Sequence, residues 1–166
     1  TDSQCFKEAE AKGFDAIADD GRGKQGTFIV DITNPRKPKT VSFVEVPQGS
    51  HNMTVHPSGG WLYNSNSDLL TSTSPAIEII DIRNPAKPTK AGELALTPLP
   101  GLGSESHDIT FSDDGRRAYS AALSHGVVID TTNPGAPTIL TEFDDESINV
   151  WHQSDPVTIQ TSEGQK

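Results

Sequence analysis

The chain has 166 residues, of which 33% are hydrophobic and 22% are charged, and its formal net charge at pH 7 is −10. These proportions are typical of a globular domain. The acidic balance argues against nucleic acid as a partner, because phosphate binding needs clustered Lys and Arg. Cys5 is the single cysteine, which excludes an intrachain disulfide and a cysteine metal cluster. The sequence has no apolar run long enough for a membrane span.

Residues 1–25 lie outside any repeat and form an irregular N-terminal segment. Good helix formers predict a short helix over residues 3–12 that ends before Gly13. The alternative is a strand over residues 14–18, followed by a turn at Asp19-Asp20-Gly21.

A motif that occurs three times dominates the remaining residues, 26–166. A β-branched run ending in Asp, followed by Asn-Pro, occupies residues 28–38, 78–88 and 127–137, at shifts of 50 and then 49 residues. A period of this size is typical of the four-stranded blades of a β-propeller. The predicted blades lie near residues 26–47, 50–97 and 106–144, with the start of a further unit at 150–160.

The predicted fold is therefore all-β, with four-stranded antiparallel sheets and about three blades. The predicted strands cover residues 27–32, 40–46, 51–55, 61–65, 77–82, 89–95, 107–112, 117–122, 126–131 and 138–143. A propeller ring closes with about four to eight blades. The remaining blades must come either from a longer polypeptide or from a second copy of the chain, since open ends leave apolar faces and strand edges unprotected.

A second repeated element, Ser-His-Asx, opens the two complete units and places one histidine in each. His51 and His107 occupy this position, and His152 follows the third Asn-Pro motif at a similar interval. Three imidazoles at one mouth of a propeller could hold copper, zinc or another divalent metal, oriented by Asn52 and Asp108. In the alternative, repeat duplication alone explains the histidines, and each ring bonds to its own neighbours.

Two further sets of residues have predicted structural positions. Asp31, Asp81 and Asp130 each precede an Asn-Pro turn and are predicted to cap it. Tyr63 and Tyr119 are predicted to occupy equivalent positions on second strands, buried between blades. His56 and His125 fall outside the repeated set and are predicted to lie at the surface.

The motif resembles a known family. The segments at residues 29–38, 79–88 and 128–137 are similar to the repeats of LVIVD bacterial β-propellers, and the His-Asx segments resemble the inner strands of YVTN-like propeller repeats. The resemblance implies a β-propeller with an extracytoplasmic or secreted location.

Two functions remain open from the sequence. The first is a non-catalytic extracytoplasmic binding or scaffolding propeller for a protein or small-molecule ligand, with loops 66–76 and 96–105 as the partner surface. It is favoured because no hydrolase or phosphate-loop motif is present. The second is a metal-dependent enzyme that uses copper or zinc on His51, His107 and His152. The metal content of the protein discriminates between them.

Overall fold

The structure, a computed structural model, describes residues 4–14, 16, 23–47, 49–66, 76–99 and 103–165. These residues form two four-stranded and two two-stranded antiparallel sheets and one short helix. The predicted all-β architecture of partial propeller blades is confirmed. No helix in the described ranges is both long and apolar enough to cross a membrane.

The elements follow the predicted order closely. The helix α1 spans Gln4–Ala11. Sheet I contains β1 (Gly26–Asp31) and β2 (Lys39–Glu45). Sheet II contains β3 (Asn52–Val55), β4 (Trp61–Ser65), β5 (Ala76–Asp81) and β6 (Thr89–Ala95). Sheet III contains β7 (Asp108–Phe111), β8 (Arg117–Ala121), β9 (Gly126–Asp130) and β10 (Thr138–Phe143). A hairpin of β11 (Gln160–Thr161) and β12 (Gly164–Gln165) follows.

The Asn-Pro turns connect the last two strands of each sheet and have one common geometry. In sheet II, the backbone N–H of Arg83 donates to Asp81 Oδ1 at 3.0 Å. The corresponding bonds to Asp31 and Asp130 measure 2.8 Å and 2.9 Å. Hydrogen bonds from the Arg83 side chain and backbone lower the pKa of Asp81 to about 2. The three aspartates therefore stabilise turns, by accepting a backbone hydrogen bond two residues ahead.

Sheets II and III pack face to face, and their contact is called the II–III interface here. Its core is a cluster of buried apolar side chains from both sheets, namely Tyr63, Ile77, Ile79, Leu96, Ile109, Ala118, Ala122, Val127 and Ile129. Sheets I and II meet through a smaller buried cluster of Val44, Val46, Leu62 and Ile80. The three sheets therefore pack in chain order, as successive blades do.

Residues 150–165, called the tail here, run beside sheet III. No regular strand is present over residues 150–159, although a further unit is predicted at 150–160. Trp151 instead forms an isolated antiparallel bridge with Leu123. The hydroxyl of Thr110 donates to Asp155 Oδ1 at 3.1 Å. The tail thus contacts sheet III from the side opposite sheet II.

The burial predicted for two tyrosines and two histidines is confirmed only in part. Tyr63 and Tyr119 are equivalent, because Tyr63 pairs with Thr54 and Tyr119 pairs with Thr110. Tyr63 is fully buried, whereas Tyr119 is only half-buried, because among the described residues only the tail lies beside it. The surface predictions for two histidines are wrong, since both are buried.

Of these two, His56 lies in the II–III interface and contacts the Gly115 carbonyl through Nε2 at 2.8 Å. The second, His125, lies in the turn before β9 and has no exposed surface. A position in a turn predicts an exposed side chain. Sheet III covers the His56 ring, however, and the His125 ring is buried with Glu142 of β10 3.6 Å away.

Candidate functional site

The structure brings the three repeated histidines together in a single column. The ring centroids of His51 and His107 are 4.1 Å apart, and those of His107 and His152 are 4.0 Å apart. The rings are tilted by 48° and 44° from one to the next. The middle ring is buried, and the two outer residues are exposed. We call this group the histidine column.

Backbone pairing explains why the rings align. The N–H of His51 donates to the Ser65 carbonyl at 2.8 Å, just before β3 begins. His107 N–H donates to the Ala121 carbonyl at 2.7 Å in the same position before β7. Because sheets II and III pack in register, equivalent strand starts lie side by side and their side chains are in contact. His152 reaches the column through the neighbouring Trp151 bridge.

The middle imidazole has a defined tautomer. His107 Nδ1 lies 3.0 Å from the backbone carbonyl oxygen of His152. A carbonyl only accepts, so the proton of the neutral ring lies on Nδ1 and Nε2 is left as an acceptor. Burial lowers the pKa of His107, and the adjacent His51 and His152 lower it further. The neutral ring is therefore favoured at the centre of the column.

Asn52 and Asp108, the predicted orienting residues, bond to each other. Asn52 Nδ2 donates to Asp108 Oδ1 at 2.7 Å, which links β3 to β7. The same Asp108 oxygen accepts the N–H of Ile109 at 2.8 Å. Neither side chain bonds to an imidazole in the described part of the chain, and their other hydrogen bonds are to backbone N–H groups. They hold two inner strands together beside the column.

A line of buried hydroxyl groups, which the sequence pattern did not indicate, lies next to the column. Ser106 Oγ lies 2.9 Å from Ser65 Oγ and 2.8 Å from Ser120 Oγ. All three serines are buried. The Ser106 hydroxyl thus connects sheet II to sheet III directly before His107. The repeated Ser-His pair was the available signal, but it shows neither the burial nor the partners.

Glu105 is the second residue that the sequence did not indicate. Its side chain is buried, and its Oε2 has no hydrogen-bond partner among the described residues. Glu105 has no acidic counterpart in the first unit, where Gly49 occupies the equivalent position. No repeat pattern could therefore have identified it.

The geometry does not assemble a metal centre from these residues. Within the described ranges, no group of three or more His, Cys, Asp or Glu side chains is arranged to hold a metal ion. The imidazole rings lie side by side and tilted, with centroids 4.1 Å and 4.0 Å apart, whereas ligation requires nitrogens that converge on one point at about 2.0–2.1 Å. The prediction of copper or zinc at His51, His107 and His152 therefore gains no support from the arrangement.

The two predicted partner loops are only partly described. Residues 67–75 and 100–102 lie outside the described residues. In the second loop, Leu96, Ser104 and Glu105 are buried. The Ser104 hydroxyl accepts the N–H of Leu99 at 2.6 Å, which closes the loop on itself. The described part of loop 96–105 is thus buried at its two ends, whereas Thr97 and Pro98 are exposed.

Comparison with known proteins supports the propeller fold. A structure from Bacteroides fragilis, described as a putative 6-phosphogluconolactonase, aligns with a TM-score of 0.53 at 16% identity, over 77% of this chain and 37% of its own. A structure from Bacteroides uniformis with the same description aligns with a TM-score of 0.56 at 16% identity, over 89% of this chain and 43% of its own. A protein from Lactobacillus plantarum aligns with a TM-score of 0.60 at 15% identity, over 77% of this chain and 40% of its own. The chain spans about two fifths of these structures, and identities this low show the fold alone.

No family model and no curated protein matches the sequence. The resemblance to the LVIVD-repeat and YVTN-like family is therefore wrong, because the similar solved structures carry a different description and no family model supports the motif. A short turn-forming motif such as Asp-x-x-Asn-Pro recurs because it ends strands well, and this physical role does not define a family. The extracytoplasmic location was expected from that resemblance alone.

Proposed function

We propose that this chain is a non-catalytic binding segment of a β-propeller and that the histidine column is its ligand surface. The observation that carries the proposal is the close approach of three imidazoles from three successive units, with ring centroids about 4 Å apart and the two outer residues exposed. Strand pairing fixes the backbone of His51 and His107, so the surface exists before a ligand arrives. A preformed surface lowers the entropic cost of binding.

The chemistry of the column favours a neutral, polyhydroxylated small molecule, such as a carbohydrate. A neutral imidazole offers one donor, one acceptor and an apolar ring face, which together match a hydroxyl group and the C–H surface of a sugar ring. Asn52 and Asp108 add an amide and a carboxylate beside the rings. The net charge of −10 disfavours polyanionic ligands.

A carbohydrate array followed by imidazole NMR tests this proposal. We expect a bound sugar to shift the ring resonances of His51 and His152, and the triple variant with His51→Ala, His107→Ala and His152→Ala to lose binding. His56→Ser is the control, because it removes a histidine outside the column and introduces the residue present at the equivalent position of sheet III, Ser112. Circular dichroism checks that each variant folds. Equal sugar binding by the triple variant, or no bound sugar at all, would overturn the proposal.

The alternative is the metal-dependent enzyme on the same three histidines. Metal analysis separates the two functions, because only the enzyme requires a stoichiometric ion. One copper or zinc per chain in the native protein, lost in the triple variant, would replace the binding proposal with the enzyme.

A further inference from the structure

We propose that Ser58 is a nucleophilic serine that accepts an acyl group from an activated ester, with His56 as its base. The two residues lie in the turn between β3 and β4 of sheet II. His51 precedes β3 at its other end, so the site is separate from the histidine column and independent of what the column binds. Sheet II packs between sheets I and III, and the chain itself therefore supplies both neighbours of this turn.

Two backbone groups define the tautomer of His56. Its Nε2 lies 2.8 Å from the carbonyl oxygen of Gly115, which only accepts, so this nitrogen carries the proton of the neutral ring. The backbone N–H of Ser58, which only donates, donates to Nδ1 at 3.1 Å. Both contacts lead to the same result, namely that Nδ1 is the acceptor nitrogen and lies beside Ser58.

The Ser58 hydroxyl donates to the same nitrogen. Its Oγ lies 2.8 Å from Nδ1, within the range expected for a nucleophile and its base. Because Nδ1 carries no hydrogen in this tautomer, the hydroxyl supplies the proton of the bond, and the O–H bond is polarised towards the base. A hydroxyl bonded to a base, with the base oriented by a third group, is the arrangement that activates a serine.

The base is buried, whereas the nucleophile is exposed. His56 is 6% exposed, and the Phe111 ring packs edge-on against it at a centroid distance of 5.0 Å. A Cβ at Gly115 would lie 2.9 Å from its Cε1, so the imidazole is in close contact with sheet III. Ser58 is exposed, and the two residues that follow it are glycines without a side chain to shield the hydroxyl. An acyl donor can therefore reach Oγ from solvent while the imidazole is held in place.

The equivalent turn of sheet III shows that the turn itself does not require this pair. Ser112 and Asp114 occupy the positions of His56 and Ser58, and the Ser112 hydroxyl donates to Asp114 Oδ1 at 2.8 Å. Both turns are closed by the same backbone bond, from the glycine N–H to the carbonyl oxygen three residues earlier, at 2.8 Å in each. The serine beside an imidazole therefore adds a chemical group that the turn does not need.

The proposed reaction is a single acyl transfer. Ser58 Oγ attacks the carbonyl carbon of the ester and forms the new C–O bond, while its proton passes to His56 Nδ1. The bond from that carbon to the leaving oxygen then breaks, and the leaving alcohol takes the proton from Nδ1. Between these steps the imidazolium still donates through Nε2 to the Gly115 carbonyl. The products are an ester of Ser58 and a free alcohol, with the imidazole neutral again.

The favoured donor is a small, uncharged, activated ester. Phosphoryl donors carry several negative charges, which the net charge of −10 disfavours. Acceptance of one acyl group requires no turnover, so the site is compatible with a non-catalytic binding segment.

Reaction with p-nitrophenyl acetate tests the proposal on the whole chain, in a Cys5→Ser background that removes the single thiol of the sequence. We expect release of p-nitrophenolate, and peptide mass spectrometry of samples quenched during the first equivalent should find the acetyl group on Ser58. Ser147 is the internal comparison, because it is exposed and its hydroxyl donates to Asp145 Oδ1 at 2.6 Å. A carboxylate is a weaker base than an imidazole. Acetylation of Ser147 or of lysines to the same extent as Ser58 would overturn the proposal.

Variants separate the nucleophile and the base from the turn. Ser58→Ala at this exposed position should slow the release about 100-fold, since a positioned base contributes about 10²–10⁴-fold. His56→Ser keeps the nucleophile without its base and should be similarly slow. The double variant with His56→Ser and Ser58→Asp copies the turn of sheet III, so it should fold and remain slow. Circular dichroism and urea denaturation check the fold of each variant. Release at the native rate from Ser58→Ala, or from a folded variant without His56, would overturn the proposal.

Discussion

The II–III interface and the face of sheet III opposite sheet II, called the open face here, present equivalent residues in different surroundings. Tyr63 at the interface is buried and bonded to Pro134, while Tyr119 on the open face is half-buried beside a groove. Phe111 packs edge-on against the Tyr63 ring at a centroid distance of 5.0 Å. The strand sequence sets which residues point to one face, and the neighbouring sheet decides whether that face becomes core.

The largest expected difference is between the two tyrosines. Tyr63→Ala should lower the free energy of unfolding by about 3–5 kcal/mol, because it leaves a cavity in the interface and removes a hydrogen bond. Tyr119→Ala, measured by urea denaturation of dilute protein, should cost about 1 kcal/mol, because its ring is partly hydrated already. Equal losses would show that the open face is as well packed as the interface.

Buried and exposed equivalents can also be compared between sheets II and I. Ile80→Ala should cost about 2–4 kcal/mol, since the side chain is fully buried between sheets I and II. Val30→Ala, at the equivalent and exposed position, should cost less than about 1 kcal/mol. Thermal denaturation of the two variants beside the native protein checks the difference. A loss for Val30→Ala as large as that for Ile80→Ala would contradict the assigned equivalence.

Gly135 tests how closely sheets II and III pack. A Cβ at Gly135 would lie 2.6 Å from the Trp61 ring, whereas a Cβ at Gly92 would meet nothing within 4 Å. Gly135→Ala should therefore cost about 1–3 kcal/mol through overpacking. Gly92→Ala is the control and should stabilise the strand by about 0.5 kcal/mol. Urea denaturation measures both, and a neutral Gly135→Ala would show that sheets II and III separate easily.

The smallest expected effect is the pH dependence of stability that comes from His107 in the histidine column. The pKa of His107 is lowered from 6.5 in the folded chain, mainly by burial. The unfolded chain therefore takes up this proton first, so the stabilising contribution is complete above about pH 6.5 and is lost as the pH falls below it. The melting temperature should fall more steeply between pH 7.5 and 5 in the native protein than in His107→Asn. Parallel curves for the two proteins would argue against a neutral, desolvated ring.

The sequence by itself determined the strands and the turns. The strands over Trp61–Ser65, Thr89–Ala95 and Thr138–Phe143 match their predicted bounds residue for residue. Strand alternation and Asn-Pro turns are local properties, which depend on steric preferences and on hydrogen bonds across two or three residues. The repeat also indicated one histidine per unit, because equivalent residues in stacked units occupy equivalent positions.

Tertiary structure decided everything that depends on contacts between sheets. The bond from Tyr63 to Pro134 joins residues far apart in the chain, as does the contact of His56 with Gly115. Neither the burial of His56 nor that of Glu105 follows from a local pattern, because burial is set by whichever segment packs above. The histidine column depends on both. The repeat places one histidine in each unit, and only the packing of the sheets and the tail brings the three rings to centroid distances of about 4 Å.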